Sequence, residues 1–147
     1  MTTQYEIAYA PLAAADVRVA IVDRVGQVDG LAAYLPRRWA TRHYDSVYGV
    51  GSFDLMVLGG ATGELVSAAR LLHPDASIVA VIDADSPVEP LVEVLQAGAD
   101  ACVRAGSPAV LAGHLMASHR RRVRATRVYR SLARLTPRGP RQLPAAS

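Results

Sequence analysis

Apolar residues along this chain fall in short blocks that alternate between two periods. The run VRVAIV at 17–22 is β-branched and ends at Asp23, which predicts a strand. Residues 27–34 predict a helix, stopped near Leu35 by Pro36. Residues 39–44 predict a second strand, followed by a stretch through Gly49 and Gly51 that fits neither period. FDLMVL at 53–58 predicts a buried strand closed by Gly59-Gly60. In 62–72, Leu65, Ala68, Ala69 and Leu72 recur at helical spacing, and Pro74 follows. IVAVI at 78–82 predicts another buried strand. Residues 87–97 predict a helix with Pro87 near its first turn and Gly98 at its C-terminal end. A short strand at 101–103 follows, and Ser107-Pro108 opens a long helix as N-cap and first residue.

Strands apolar on both faces, alternating with helices, require a mostly parallel sheet covered on both sides. The expectation is an α/β three-layer sandwich with five parallel strands and about five helices. Ligands in such folds sit at the carboxyl ends of the strands. That directs attention to Asp23-Arg24, Gly59-Gly60, Asp83-Ala84 and Arg104-Ala105.

Length and composition narrow the picture. A chain of 147 residues, 51% apolar with mean hydropathy +0.17, has material for one buried core and is not a disordered polymer. The single cysteine, Cys102, excludes an intramolecular disulfide framework and a cysteine-based zinc site, and it suits a reducing cytoplasm. No uncharged apolar run reaches the ~18 to 20 residues of a membrane span. The first fifteen residues lack a basic start and carry Glu6, unlike a signal peptide. All 16 basic residues are arginine, so no mechanism that needs a lysine amine is available.

Charge divides the chain. Residues 1–118 hold all 13 acids and seven arginines, a net −6, whereas residues 119–147 hold nine arginines and no acid. The chain thus divides into an N-terminal arm at 1–16, a body at 17–118 and an arginine-rich extension at 119–147. An acid-free basic segment suits nucleic acid, an anionic surface or an acidic protein partner, or is a solvated helix of a lysine-free composition.

The stretches AIVD at 20–23, FDLMVLGG at 53–60, IVAVIDAD at 78–85 and QAGADACV at 96–103 resemble the receiver domain of bacterial two-component response regulators. SPAVLAGHL at 107–115 resembles the start of that family's last helix. The resemblance covers residues 17–118 and implies the flavodoxin-like receiver fold. In that family an aspartate after the third strand accepts a phosphoryl group, acids after the first strand help hold magnesium, and a hydroxyl and a lysine contact the phosphoryl oxygens. Carried onto this chain, Asp23 matches one acid, but Arg24 stands at the second. The phosphoacceptor position falls on Gly59 and the hydroxyl position on Asp83. The lysine position falls on Arg104 or Ala105, depending on a one-residue gap. The resemblance therefore implies a pseudo-receiver: no cofactor, no enzymatic activity, and regulation through protein contacts in the cytoplasm.

Two other readings use overlapping residues. LGGATGELV at 58–66, with Asp83 about 20 residues on, resembles the glycine-rich turn of a dinucleotide-binding fold, although Val66 replaces its third glycine. The predicted helix at 109–135 is ~40 Å long at ~1.5 Å per residue, about twice what the sheet needs. Its extension carries Arg120, Arg121, Arg122, Arg124, Arg127, Arg130 and Arg134, with Val128, Leu132 and Leu135 on one face. That pattern suits a protein partner, a second copy of the chain, or nucleic acid. LARLTPR at 132–138 resembles the linker that opens the DNA-binding domain of the LuxR/NarL class, and Gly139 and Pro140 then interrupt it. Among the remaining residues, His43, His73, His114 and His119 show no metal-ligand spacing, Cys102 and Trp39 read as packing residues, and Asp54 reads as structural.

Overall fold

The computed structural model describes residues 15–135. Five strands, β1 (Val17–Val22), β2 (Trp39–Tyr44), β3 (Leu55–Leu58), β4 (Ser77–Ile82) and β5 (Ala101–Arg104), pair in parallel in the order β2-β1-β3-β4-β5. β3 and β4 are buried at every position, which explains their unbroken apolar runs. The register pairs Val22 with both Tyr44 and Leu58, and Leu58 with Ala80, so the ends of β1, β2 and β3 meet in one row and β4 runs two residues further.

The described residues contain three α-helices, α1 (Gly63–Leu72), α2 (Val88–Gln96) and α3 (Pro108–Leu135), and two 3-10 turns at Leu31–Tyr34 and Val47–Gly49. This is fewer than the five helices expected. The predicted helix at 27–34 shortens to Leu31–Tyr34 because Gly26 and Gly30 adopt left-handed φ values of 75° and 80°, which break a helical path. The predicted strand at 53–58 begins only at Leu55, because Asp54 turns its carboxylate to the backbone N–H of Arg18 at 2.8 Å. At α1, the Thr62 hydroxyl accepts from Leu65 N at 3.2 Å, an N-cap. After α2, Gly98 takes the left-handed position with φ 121°.

Two cores flank the sheet. Val19, Ile21, Leu55, Val57, Val79 and Val81 face Leu31 and the Leu111–Leu115 part of α3. Met56, Leu58, Ile78 and Ala80 face Val66 and Ala69 of α1, Val94 of α2 and Val47. α3 runs against the strand direction: Pro108 lies beside Gly30, whereas Ser118 Oγ meets Ser77 Oγ, at the start of β4, at 3.1 Å. Beyond Val123 the helix is exposed through Leu135. Residues 136–147, including the TPR of the linker motif, Gly139 and Pro140, lie outside the described residues, as does most of the N-terminal arm. Among the described residues no helix is long and apolar enough to cross a membrane.

Candidate functional site

The carboxyl ends of β1, β3 and β4 converge where the chain order switches from β1 to β3, the place such sheets use for ligands. Asp23, immediately after β1, bends back on its own loop. Its Oδ2 accepts from Val28 N at 2.9 Å and its Oδ1 from Val25 N at 3.2 Å. Both oxygens are therefore engaged by backbone.

Gly59, immediately after β3, is buried and donates its N–H to Val22 O at 2.9 Å. A β-carbon there would stand 2.5 Å from Asp23 Cγ and 2.9 Å from Asp23 Cβ. The space that a side chain at position 59 would enter is filled by the Asp23 carboxylate. The restraint is steric, since Gly60 and not Gly59 carries the left-handed φ, 58°.

Gln27 completes the arrangement. Its Oε1 accepts from Gly60 N at 2.7 Å and its Nε2 donates to Asp83 Oδ1 at 2.6 Å. One amide thus joins the loops after β1, β3 and β4. Sequence reasoning missed Gln27, because it places that residue inside a helix and gives a lone glutamine no chemical signal.

The other site residues spread outward. Arg24 is exposed and borders a hollow of about 300 Å³ between Asp45, Val47 and Gly60. Arg104 reaches across to Ser86 O through Nη2 at 3.2 Å. Ala105 donates its N–H to Ile82 O at 2.7 Å and packs on the α3-side core. The strand ends bring together Asp23, Gln27, Gly59 and Asp83, with neither candidate for the lysine position bonded to them.

Magnesium, which the resemblance implies, does not fit this set. Asp23 spends its oxygens on backbone donors, Gly59 offers no side-chain oxygen, Asp83 is tied to Gln27, and Arg24 brings positive charge where an oxygen ligand is required. Among the described residues no group of three His, Cys, Asp or Glu side chains is arranged to hold a metal ion. The features of a dinucleotide turn are engaged too. Gly60 N is bonded to Gln27, Asp83 is bonded to the same side chain, and Glu93 Oε1 stands 2.6 Å from where a β-carbon on Gly63 would sit.

Other residues serve packing. Trp39 meets His119 edge-on at 5.3 Å between ring centroids, and Phe53 meets His73 at 4.6 Å. Cys102 is half-buried, less than its strand position suggested; burial pushes its thiol pKa up, and Arg104 pulls it partly back. On the α3 extension, Arg120, Arg124, Arg127, Arg130 and Arg134 recur at spacings of three and four, forming one stripe of positive charge. Arg121 and Arg122 lie off that stripe, Arg122 half-buried against the body.

No protein-family model matches the chain, and no curated protein matches it. Solved structures do. A CheY-like response regulator receiver domain protein from Methanospirillum hungatei superposes with TM-score 0.60 at 20% identity, over 74% of this chain and 98% of that one. The receiver domain of a Francisella response regulator gives 0.60 at 14% identity, over 72% and 98%. An orphan response regulator of H. pylori gives 0.56 at 16%, over 71% and 97%. The fold is that of a response-regulator receiver domain.

Proposed function

We propose that this chain is a pseudo-receiver, a non-enzymatic regulatory protein of the cytoplasm that works by protein–protein contact and without aspartyl phosphorylation. The observation that carries this reading is the closed set Asp23, Gly59, Gln27 and Asp83. A carboxylate fills the phosphoacceptor's space, and an amide ties the loops that a phosphoryl group would have to bridge. Phosphoryl transfer depends on positioned metal and positive charge, and here the nearest groups are two carboxylates held by hydrogen bonds. Contact surfaces are at hand. Val88, Val92 and Leu95 form an exposed apolar line on α2, and Val128 and Tyr129 are exposed on α3. The LARL segment at the end of α3 is read as the remnant of a LuxR/NarL-type linker.

The test is an amide NMR spectrum of the full chain with acetyl phosphate, or beryllofluoride, and magnesium. It is expected to remain unchanged. Site-specific shifts at Asp23 and Gly59 would overturn the proposal.

A second reading rests on the arginine stripe of α3. Five guanidiniums on one helical face, without an acid between residues 119 and 147, suit the phosphate backbone of a nucleic acid. Base-specific recognition is not part of it, because the stripe reads charge alone.

A further inference from the structure

Two exposed helix faces of this chain share one apolar pattern and carry opposite charge. On α2, Val88, Val92 and Leu95 stand at i, i+4 and i+7 and are 61%, 41% and 40% exposed. On the outer half of α3, Val128, Leu132 and Leu135 repeat that spacing, with Val128 58% and Leu135 79% exposed. Glu89 and Glu93 flank the first line, and Arg124 and Arg127 flank the second. All four are exposed, and among the described residues none of the four has an ion-pair partner.

The two faces cannot meet within one molecule. α2 packs on the core of Met56 and Ile78 and α3 on the core of Val57 and Val79, with the sheet between them. The outer half of α3 also runs past the amino ends of the strands, beyond the contact of Ser118 with Ser77. Nor does this segment suit a symmetric pair with the α3 of another copy. It belongs to a stretch of nine arginines without an acid, so both flanks of such a seam would oppose like charges.

The flanking charges also set a direction. At about 100° per residue, Glu89 and Glu93 lie about 100° and 140° to one side of Val88, whereas Arg124 and Arg127 lie about 40° and 100° to the other side of Val128. Opposite flanks face each other when two helices run parallel, as e and g positions do in a parallel coiled coil. Parallel docking therefore brings acids to arginines. Both helices run against the strands of their own molecule, so the two copies then point the same way, in a head-to-tail contact.

We infer that the outer half of α3 docks on α2 of a second copy of this chain, head to tail, with Arg124 and Arg127 facing Glu89 and Glu93. This rests on the reading that the chain works by protein contact, and the acetyl phosphate spectrum tests the silence of the receiver site separately. The contact spans about two turns of each helix, less than a standard interface. Standard interfaces are micromolar at their weak end, so the dissociation constant is expected above ~1 μM.

The experiment is sedimentation velocity of the full-length chain from about 5 μM to about 1 mM, which brackets that range. The chain is expected to associate as concentration rises, and less so in high salt. Glu89→Arg with Glu93→Arg, and separately Arg124→Glu with Arg127→Glu, are each expected to weaken association by about tenfold or more. An equimolar mixture of the two variants restores opposite charges across the contact and is expected to return to within about threefold of wild type. If a charge variant does not fold, Val88→Asp and Val128→Asp, both at exposed positions, take their place. Each is expected to stay monomeric alone, and the mixture to form a 1:1 pair through its one intact contact. A chain monomeric throughout the range, variants that associate as tightly as wild type, or a mixture no tighter than its components would each overturn the inference. So would association that appears only when DNA or phosphatidylglycerol vesicles are added.

Discussion

At Gly59 a single hydrogen atom in place of a side chain lets Asp23 turn inward and satisfy two backbone donors. Gly59→Ala should therefore act as overpacking and cost ~1–3 kcal/mol, read by urea denaturation. In an Asp23→Gly background the same change should cost clearly less, a coupling that a double-mutant cycle measures. Gly59→Asp alone is expected to take no stable label from radiolabelled acetyl phosphate, since it meets Asp23 sterically and adds a like charge. Gln27→Ala, which removes two hydrogen bonds between loops, should cost ~1–2 kcal/mol. Cys102 offers a pH test. Burial raises its pKa, so the folded thiol holds its proton to higher pH than the unfolded one. Alkylation by iodoacetamide should lag that of the unfolded chain near pH 8 and catch up as pH rises. Arg104→Gln should slow it further by removing the charge that favours thiolate.

Between elements, Arg70 at the end of α1 closes a corner of the molecule. Its guanidinium donates to Ala76 O at 2.6 Å, Gly98 O at 2.7 Å and Asp100 Oδ2 at 2.9 Å, and that oxygen also accepts from Ile78 N at 2.7 Å. Arg70→Ala takes this donor from the carbonyls and leaves Asp100 Oδ2 with the Ile78 N–H, and it should lower stability by ~2–4 kcal/mol. Arg70→Lys should recover less than half, because one ammonium cannot span three acceptors. Elements defined by apolar runs were legible from the sequence: β3 and β4 because burial on both faces leaves no other pattern, and β1 because only Arg18 interrupts its run. So were the ends of α1 and α2, marked by Thr62, Pro87 and Gly98. The loop after β1 was not. Its apolar spacing suits a helix, and only the left-handed glycines at 26 and 30 and the turned-in Asp23 determine that it folds otherwise. The site was legible in the same measure. Asp23, Gly59 and Asp83 follow strand ends and could be placed, whereas Gln27 depends on where that irregular loop goes.

For the molecule as a whole, α3 joins two regions of opposite charge. Its buried residues end at Ser118, and the arginines follow. Removing residues 119–147 should shift the melting temperature of the body by only a few degrees, because it takes no fully buried side chain of the described structure with it. The intact chain should bind arbitrary DNA in a salt-sensitive way; neutralising ~6 to 10 phosphates implies a loss of about 10³- to 10⁵-fold between ~50 and ~200 mM salt. Filter binding or anisotropy across that range, with the truncated chain as control, checks this. The uninterrupted path of α3 also bears on how its outer half stays helical. Starting a helix in water is costly, whereas lengthening one is nearly free, and isolated segments of about 12 to 15 residues are marginal. The part of α3 pinned beneath β4 is already wound, so it acts as a permanent seed from which the outer turns grow. A peptide of residues 119–135 should then be mostly coil by circular dichroism. The same residues should be helical on the folded body, and melting the sheet should unwind them in the same transition.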